Sequence, residues 1–188
     1  MVHECLISTN AQKVLQFLLM HSGKMCYERE IARGTNISYG SANKVLNQLY
    51  KKGLIQRKNE GRMCYYATDI SNPYIKEFKI LSNLLLIEPL VEKLKPYSHK
   101  IVLYGSWAQG ADTEASDIDI FIVTSDEDKV KSIINKFSFS QKVADRKIQA
   151  VINTPADLLD QDIRENVFRK EVEQGKILWE KEINEDNL

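Results

Sequence analysis

Apolar residues recur at helical spacing over residues 10–21, where Ala11, Val14, Leu15, Leu18 and Leu19 form one stripe. Thr9 or Asn10 offers a capping oxygen at its start. A short second helix is predicted over 27–33, with Glu28 and Glu30 in the first turn, where the positive end of the helix dipole favours them. Gly34-Thr35-Asn36 then supplies turn chemistry. A third helix over 39–52 buries Ala42, Val45, Leu46 and Leu49 and ends at Gly53. Its other face carries Tyr39, Ser41, Asn43, Lys44, Asn47, Gln48 and Lys51. The pattern then becomes that of a hairpin: 54–57 and 63–68 read as strands joined by a basic, glycine-bearing loop over 58–62.

Asn72-Pro73 opens a long helix, as an N-cap followed by proline at the first helical position. It runs to Lys95, with Pro89 predicted as a kink or break. Its apolar residues, among them Ile75, Phe78, Leu81, Leu85, Leu90 and Leu94, occupy more than one face and so need two burial surfaces. One is the region that follows. The other is the front domain or a second copy of the chain, and a homodimer is the favoured expectation. Further along, 101–104, 117–123 and 147–152 read as strands. Thr154-Pro155 opens a helix, 162–174 reads as another, and Gly175 precedes a last strand at 176–179.

Composition changes this picture in one respect. The 188 residues hold 26 basic and 26 acidic side chains, which suggests a neutral protein with no preference for nucleic acid. By segment the balance is uneven. Residues 1–70 carry ten Lys and Arg against five acids, a net +5, and residues 71–188 carry 16 against 21, a net −5. Such asymmetry suggests separate domains with separate partners. The expected division is 1–70, a connecting helix at 71–97, and 98–188. At 43% hydrophobic the chain is not a disordered tail. No run reaches the roughly 18 apolar residues of a membrane helix. Residues 14–20 make a poor signal peptide, being short, interrupted by Gln16 and without a small-residue cleavage site. The three scattered cysteines, Cys5, Cys26 and Cys64, fit a reducing cytoplasm better than a disulfide framework or a cysteine zinc site.

The order helix, short helix, turn, longer helix and basic hairpin, in EREIARGTNIS, YGSANKVLNQLYKKGLI and QRKNEGRMCYYAT, resembles the winged helix-turn-helix regulators of bacteria and archaea over about residues 8–70. The resemblance implies that the third helix enters the major groove of double-stranded DNA while the hairpin touches backbone or minor groove. Tyr39, Ser41, Asn43, Lys44 and Gln48 are then the groove-facing candidates. Arg57, Lys58 and Arg62 suit phosphates.

The acidic half concentrates its chemistry in IVLYGSWAQGADTEASDIDIFIV, residues 101–123. Side chains alternate along a strand, so Asp117 and Asp119 project from one face while Ile118 and Ile120 enter the core. Two carboxylates so close repel each other unless a cation lies between them. Mg²⁺, or Mn²⁺, takes oxygen ligands and leaves positions for water and phosphate. Gly105 lets the backbone approach a phosphate, and Ser106 adds a hydroxyl beside the free amides of a helix beginning near Ser106-Trp107.

Gly-Ser, a ten-residue spacer and Asp-x-Asp resemble the nucleotidyltransferase superfamily of DNA polymerase beta, in the short form of the minimal nucleotidyltransferases of HEPN–MNT pairs. The likeness spans about residues 85–181 and implies an α+β chain, a winged helix followed by a small mixed-sheet transferase domain. It implies that Gly105 and Ser106 hold the triphosphate of an NTP, with ATP expected, and that Asp117 and Asp119 bind metal and are catalytic. A substrate hydroxyl, on a protein such as a HEPN partner, attacks the α-phosphate and pyrophosphate leaves. The family's third carboxylate, on a later strand, aligns with Gln149, a neutral amide that cannot act as a base. Asp145 lies four residues earlier, about 13 Å along an extended strand. Three readings follow: a Mg²⁺-dependent transferase, a DNA-binding regulator with a weak or inactive transferase domain, and an RNA-directed transferase whose winged domain grips its substrate.

Overall fold

The computed structural model describes residues 2–139, 146–157 and 165–181. Contacts divide the chain into two compact units: Met1–Leu85 with Gly110–Ala115, and Leu86–Gln109 with Ser116–Leu188. Among the described residues, no helix is long and apolar enough to cross a membrane.

The first unit opens with α1 (Val2–Leu6) and α2 (Asn10–Met20). Thr9, not Asn10, caps α2: its hydroxyl accepts from the Gln12 amide at 3.2 Å, and the Gln12 side chain accepts from the Thr9 amide at 2.9 Å. This reciprocal box satisfies two otherwise orphaned donors. A two-residue strand, β1 (Cys26–Tyr27), leads into α3 (Glu28–Gly34) and α4 (Tyr39–Lys51). Ser38 caps α4 by accepting from the Ser41 amide. Val14, Leu18, Ile31, Leu46 and Tyr66, all at most 1% exposed, form the centre of the core.

The hairpin is longer in its strands than the sequence suggested. β2 is Ile55–Glu60 and β3 is Met63–Thr68, paired in register from Ile55↔Thr68 to Glu60↔Met63. The turn is therefore only Gly61-Arg62, and Lys58, Asn59 and Glu60 are ladder residues. Polar composition concealed this because the far half of the hairpin is exposed on both faces and needs no apolar alternation. β3 also pairs with β1, giving the order β1-β3-β2.

The long helix α5 (Pro73–Leu94) runs through Pro89 without a break. Its division between the units falls at Leu85/Leu86. Ile75, Ile80, Leu85, Ile87, Leu90, Val91 and Leu94 are already buried within the single chain. Phe78, Leu81, Leu84 and Leu86 of the same helix are half-buried.

The second unit is a four-stranded mixed sheet, ordered β6-β5-β4-β7, from β4 (Lys100–Tyr104), β5 (Ile118–Val123), β6 (Ile148–Asn153) and β7 (Lys176–Glu180). The β4/β5 and β4/β7 pairs are antiparallel and β5/β6 is parallel. A short α6 (Gly105–Gln109) follows β4, α7 (Glu127–Lys136) connects β5 towards β6, and α8 (Glu165–Glu173) precedes β7. The sequence reading omitted α7. Its signals are Asp126, whose carboxylate accepts from the Lys129 amide at 3.0 Å, and Glu127 and Asp128 in the first turn. Thr154 and Asp157 form a hydrogen-bonded turn, and the helix expected after it lies outside the described residues, as does Asp145.

Candidate active site

Strand β5 separates its side chains as alternation demands. Ile118, Ile120 and Ile122 are fully buried on one face. Asp117, just before the strand, and Asp119 fall on the other, in line with Phe121 and Val123. That second face is closed over its apolar part by α8. The Phe168 ring meets Tyr104 at 5.5 Å and Phe121 at 5.9 Å, both edge-on, and Val172 packs on the same cluster. The two aspartates thus end a row whose other members are core.

Asp119 is opposite Tyr104, the last residue of β4, and the chain turns directly into α6 at Gly105. Gly105 has φ +67°, in the left-handed region, and a Cβ placed there would lie 2.5 Å from Asp119 Oδ2. No side chain fits. Glycine is therefore required twice, by the backbone angle and by the carboxylate seated against the turn. Ser106 follows in the first turn of α6, half-buried. Gly105 and Asp119 are thus in direct contact, with Ser106 next to the one and Asp117 two residues before the other.

On the other side of β5, Gln149 is directly opposite Asp119 in the parallel ladder, and its amide donates to Asp117 Oδ2. Gln149, the residue expected to align with a third carboxylate, is thus the neighbour of both aspartates. What it supplies is a donor that orients Asp117, not a second acceptor. Burial pushes the Asp119 carboxyl above the ordinary aspartate range, and the neighbouring charges of Asp117 and then Glu171 push it further. Burial followed by the Asp119 and Glu171 charges likewise raises Tyr104.

Two contributors escaped the sequence reading. Glu171 is on α8, and the packing of half-buried Phe168 and Val172, four apart, on the Tyr104–Phe121 cluster turns this part of the helix towards the carboxylates. Arg146 places its guanidinium 4.9 Å over the ring of buried Trp107, the residue after Ser106. The Lys147 carbonyl accepts from the Ile118 amide, which brings this basic pair beside Asp117. A tryptophan following Gly-Ser and a basic pair before a strand were legible, but nothing in sequence joins them.

Among the described residues no cluster of three His, Cys, Asp or Glu side chains could hold a metal. The donor set is two carboxylates, one of them partly desolvated. That suits an ion such as Mg²⁺, which binds through one or two carboxylates together with substrate phosphates rather than in an all-protein cage.

The groove-facing candidates of α4 and the hairpin are disposed less uniformly. Tyr39, Lys44 and Gln48 are exposed, as are Lys58 and Arg62. Glu28 is buried at 3% exposure and accepts from the Asn43 amide at 2.6 Å. Asn43 in turn accepts from Asn47 through its backbone and side-chain oxygens. Glu28 also raises the Tyr39 hydroxyl above its usual range. Ser41 accepts from the Ser38 hydroxyl. Arg57 is braced across the hairpin, donating to Asn59, Asn47 and Cys64, with its guanidinium 5.9 Å from the Tyr66 ring. Lys58 pairs with Glu60 at 2.8 Å in full solvent, a contact of small energetic consequence.

Residues 87–184 match the family model described as polymerase beta nucleotidyltransferase, and residues 7–71 match the one described as sugar-specific transcriptional regulator TrmB. A protein of Methanocaldococcus jannaschii named as a protein adenylyltransferase is 33% identical over 106 residues, covering 56% of this chain and 94% of the relative. A mutant MepR from a multidrug-resistant S. aureus isolate is similar at 23% identity and a TM-score of 0.33, over 39% of this chain and 56% of that one. The zinc-responsive MarR family member ZitR of Lactococcus lactis is similar at 18% identity and a TM-score of 0.35, over 45% of this chain. The chain spans 59% of ZitR, little more than half the length of either regulator.

Proposed function

The chain belongs to the polymerase beta nucleotidyltransferase family, with a TrmB-type winged-helix domain at its N-terminal end, and we propose that it transfers a nucleoside monophosphate from ATP to a hydroxyl on a protein. The observation that carries the reading is the seating of Asp119 against the backbone of Gly105. It sets one of the two acids directly against the turn that, in this reading, takes phosphate. The name of the M. jannaschii relative supports an adenylyl donor and a protein acceptor.

In this reading Gly105 and Ser106 receive phosphate oxygens through backbone amides and one hydroxyl. Asp117 and Asp119 would hold the Mg²⁺ or Mn²⁺ that accompanies the nucleotide, and Gln149 fixes the direction of Asp117. When bound, the ion offsets charge on the attacking and leaving oxygens. The acceptor oxygen bonds to the α-phosphorus, the bond to the bridging oxygen breaks, and pyrophosphate leaves. The acceptor proton passes to solvent, because the Gln149 amide cannot take it.

The winged-helix domain supports duplex DNA as a second partner, with Lys44, Gln48, Tyr39, Lys58 and Arg62 as its exposed contacts. Gln149 favours one rival, a DNA-binding regulator that binds nucleotide with little or no turnover. Incubating the protein with labelled ATP, Mg²⁺ or Mn²⁺ and cell extract separates them. Label transfer that is lost in Asp117→Ala/Asp119→Ala supports the transferase. A salt-sensitive shift of duplex DNA with no transfer by either protein supports the regulator.

A further inference from the structure

Gly110–Ala115 lies between Gly105-Ser106 and Asp117, inside the catalytic signature, yet it belongs to the compact unit formed by Met1–Leu85. Its contacts explain why. Gly110 has φ +67°, and a Cβ there would lie 3.0 Å from Ile80 Cγ1 and 3.1 Å from the Lys76 carbonyl oxygen. The spacer backbone is thus flush against α5.

Two residues later Asp112 is buried at 3% exposure beside Lys79 of α5 at 1%. Lys79 Nζ is 3.4 Å from Asp112 Oδ1 and also donates to the Asp112 carbonyl. Asn83, one turn along α5, donates to Asp112 Oδ1 at 2.8 Å. Lys79 further donates to Ser22 Oγ, at 3.2 Å, in the turn after α2. A buried pair of this kind is either made or strongly unfavourable, because losing one partner leaves the other charge uncompensated.

We propose that Lys79, Asp112 and Asn83 are positioning residues, a clamp by which the winged-helix unit sets the spacer and so the separation of Ser106 from Asp117. The inference rests on the nucleotide-binding reading given above. With the spacer held at Asp112, Ser106 and Asp117 are presented to one ligand. With it released, binding must first order the loop. By linkage, nucleotide binding is then felt at the Ser22 turn in return.

Calorimetric titration of Mg-ATP into the full chain, with thermal melting by circular dichroism, tests the clamp. Asp112→Asn weakens Mg-ATP binding about tenfold, within the range of ordinary site-to-site coupling. Lys79→Met/Asp112→Leu removes both charges, keeps the melting temperature at or above that of the parent, and still binds Mg-ATP weakly, because apolar packing lacks the directional bonds to Asp112. This double variant carries the test if Asp112→Asn fails to fold. Hydrogen exchange over residues 20–25 slows on adding Mg-ATP to the parent and is unchanged in the double variant. A folded double variant with the parent's affinity, or a parent whose exchange at 20–25 ignores Mg-ATP, overturns the clamp alone. A parent that binds no Mg-ATP overturns the nucleotide reading and the clamp with it.

Discussion

Strand β5 and helix α4 each present a row of polar side chains, and the two rows are constrained in opposite ways. On β5 each polar member meets a neighbour that fixes it: Asp119 meets the Gly105 turn, and Asp117 meets the Gln149 amide. On α4 the row divides. Asn43 and Asn47 are committed to Glu28 and Arg57, while Lys44 and Gln48 extend into water. A row at the end of a buried sheet face is therefore specified position by position. A row on a solvated helix mixes internal braces with free contacts that look alike in sequence.

The largest effect expected from this contrast is at the acid pair. Asp117→Ala/Asp119→Ala should lower label transfer about 10³-fold, equivalent to ~4 kcal/mol of transition-state stabilisation. The thermal transition should hardly fall, since the substitution also removes the burial of a carboxylate and the repulsion by Asp117 that together raise Asp119. If transfer survives the double substitution, the β5 row is not the reaction centre.

Next come two glycines with nearly the same backbone angle, Gly105 at φ +67° and Gly61 at φ +60°. A Cβ at Gly61 meets nothing within 4 Å, whereas one at Gly105 meets the Asp119 carboxylate. Gly61→Ala should cost about 1 kcal/mol, the conformational penalty alone, and leave Mg-ATP binding intact. Gly105→Ala should cost about 2 kcal/mol or more and weaken Mg-ATP binding severely. Chemical denaturation and calorimetry on both variants measure the difference. Equal effects would mean that the close approach of Gly105 to Asp119 has no functional content.

Gln149→Glu sharpens the contrast from the other side of β5. It replaces an amide donor with a carboxylate acceptor at the register position of Asp119. Where deprotonation of the acceptor limits turnover, initial rates of Mg²⁺-dependent transfer should rise about tenfold, the lower end of general-base effects. A fall in rate would show that orienting Asp117 matters more than a third charge.

These comparisons also explain what was legible beforehand. Gly-Ser and Asp-x-Asp were readable because a tight turn and a two-residue alternation are local rules. The strand that carries Gln149 was readable from its apolar run, but its pairing with Asp119 is a product of the sheet. Glu171 and Arg146 were not readable, since only the packing of Phe168 on Tyr104 and of Arg146 on Trp107 brings them to the site. In the winged-helix domain the helices followed from their apolar stripes and caps. The end of β2 did not, because an exposed ladder leaves no apolar mark. The attachment of the spacer to α5 was hidden for a related reason: a charged Lys79 in the helix reads as solvent-facing until Asp112 is found beside it.

The smallest effects separate brace from contact on α4. Asn43→Ala leaves Glu28, at 3% exposure, without the amide that donates to it. It should cost about 1–2 kcal/mol of stability through the carboxylate left underbonded. Any loss of duplex affinity should be shared by all sequences, as expected when the helix itself shifts. Lys44→Ala with Arg62→Ala changes no described hydrogen bond, and stability should stay within about 0.5 kcal/mol. Duplex binding should weaken, and the slope of log affinity against log salt should fall by about 2, close to one per phosphate contact removed. Unchanged salt dependence in the lysine–arginine variant, alongside weaker binding by Asn43→Ala, would reverse the assignment. The internal amide would then be the reader and the exposed cations only solvated surface.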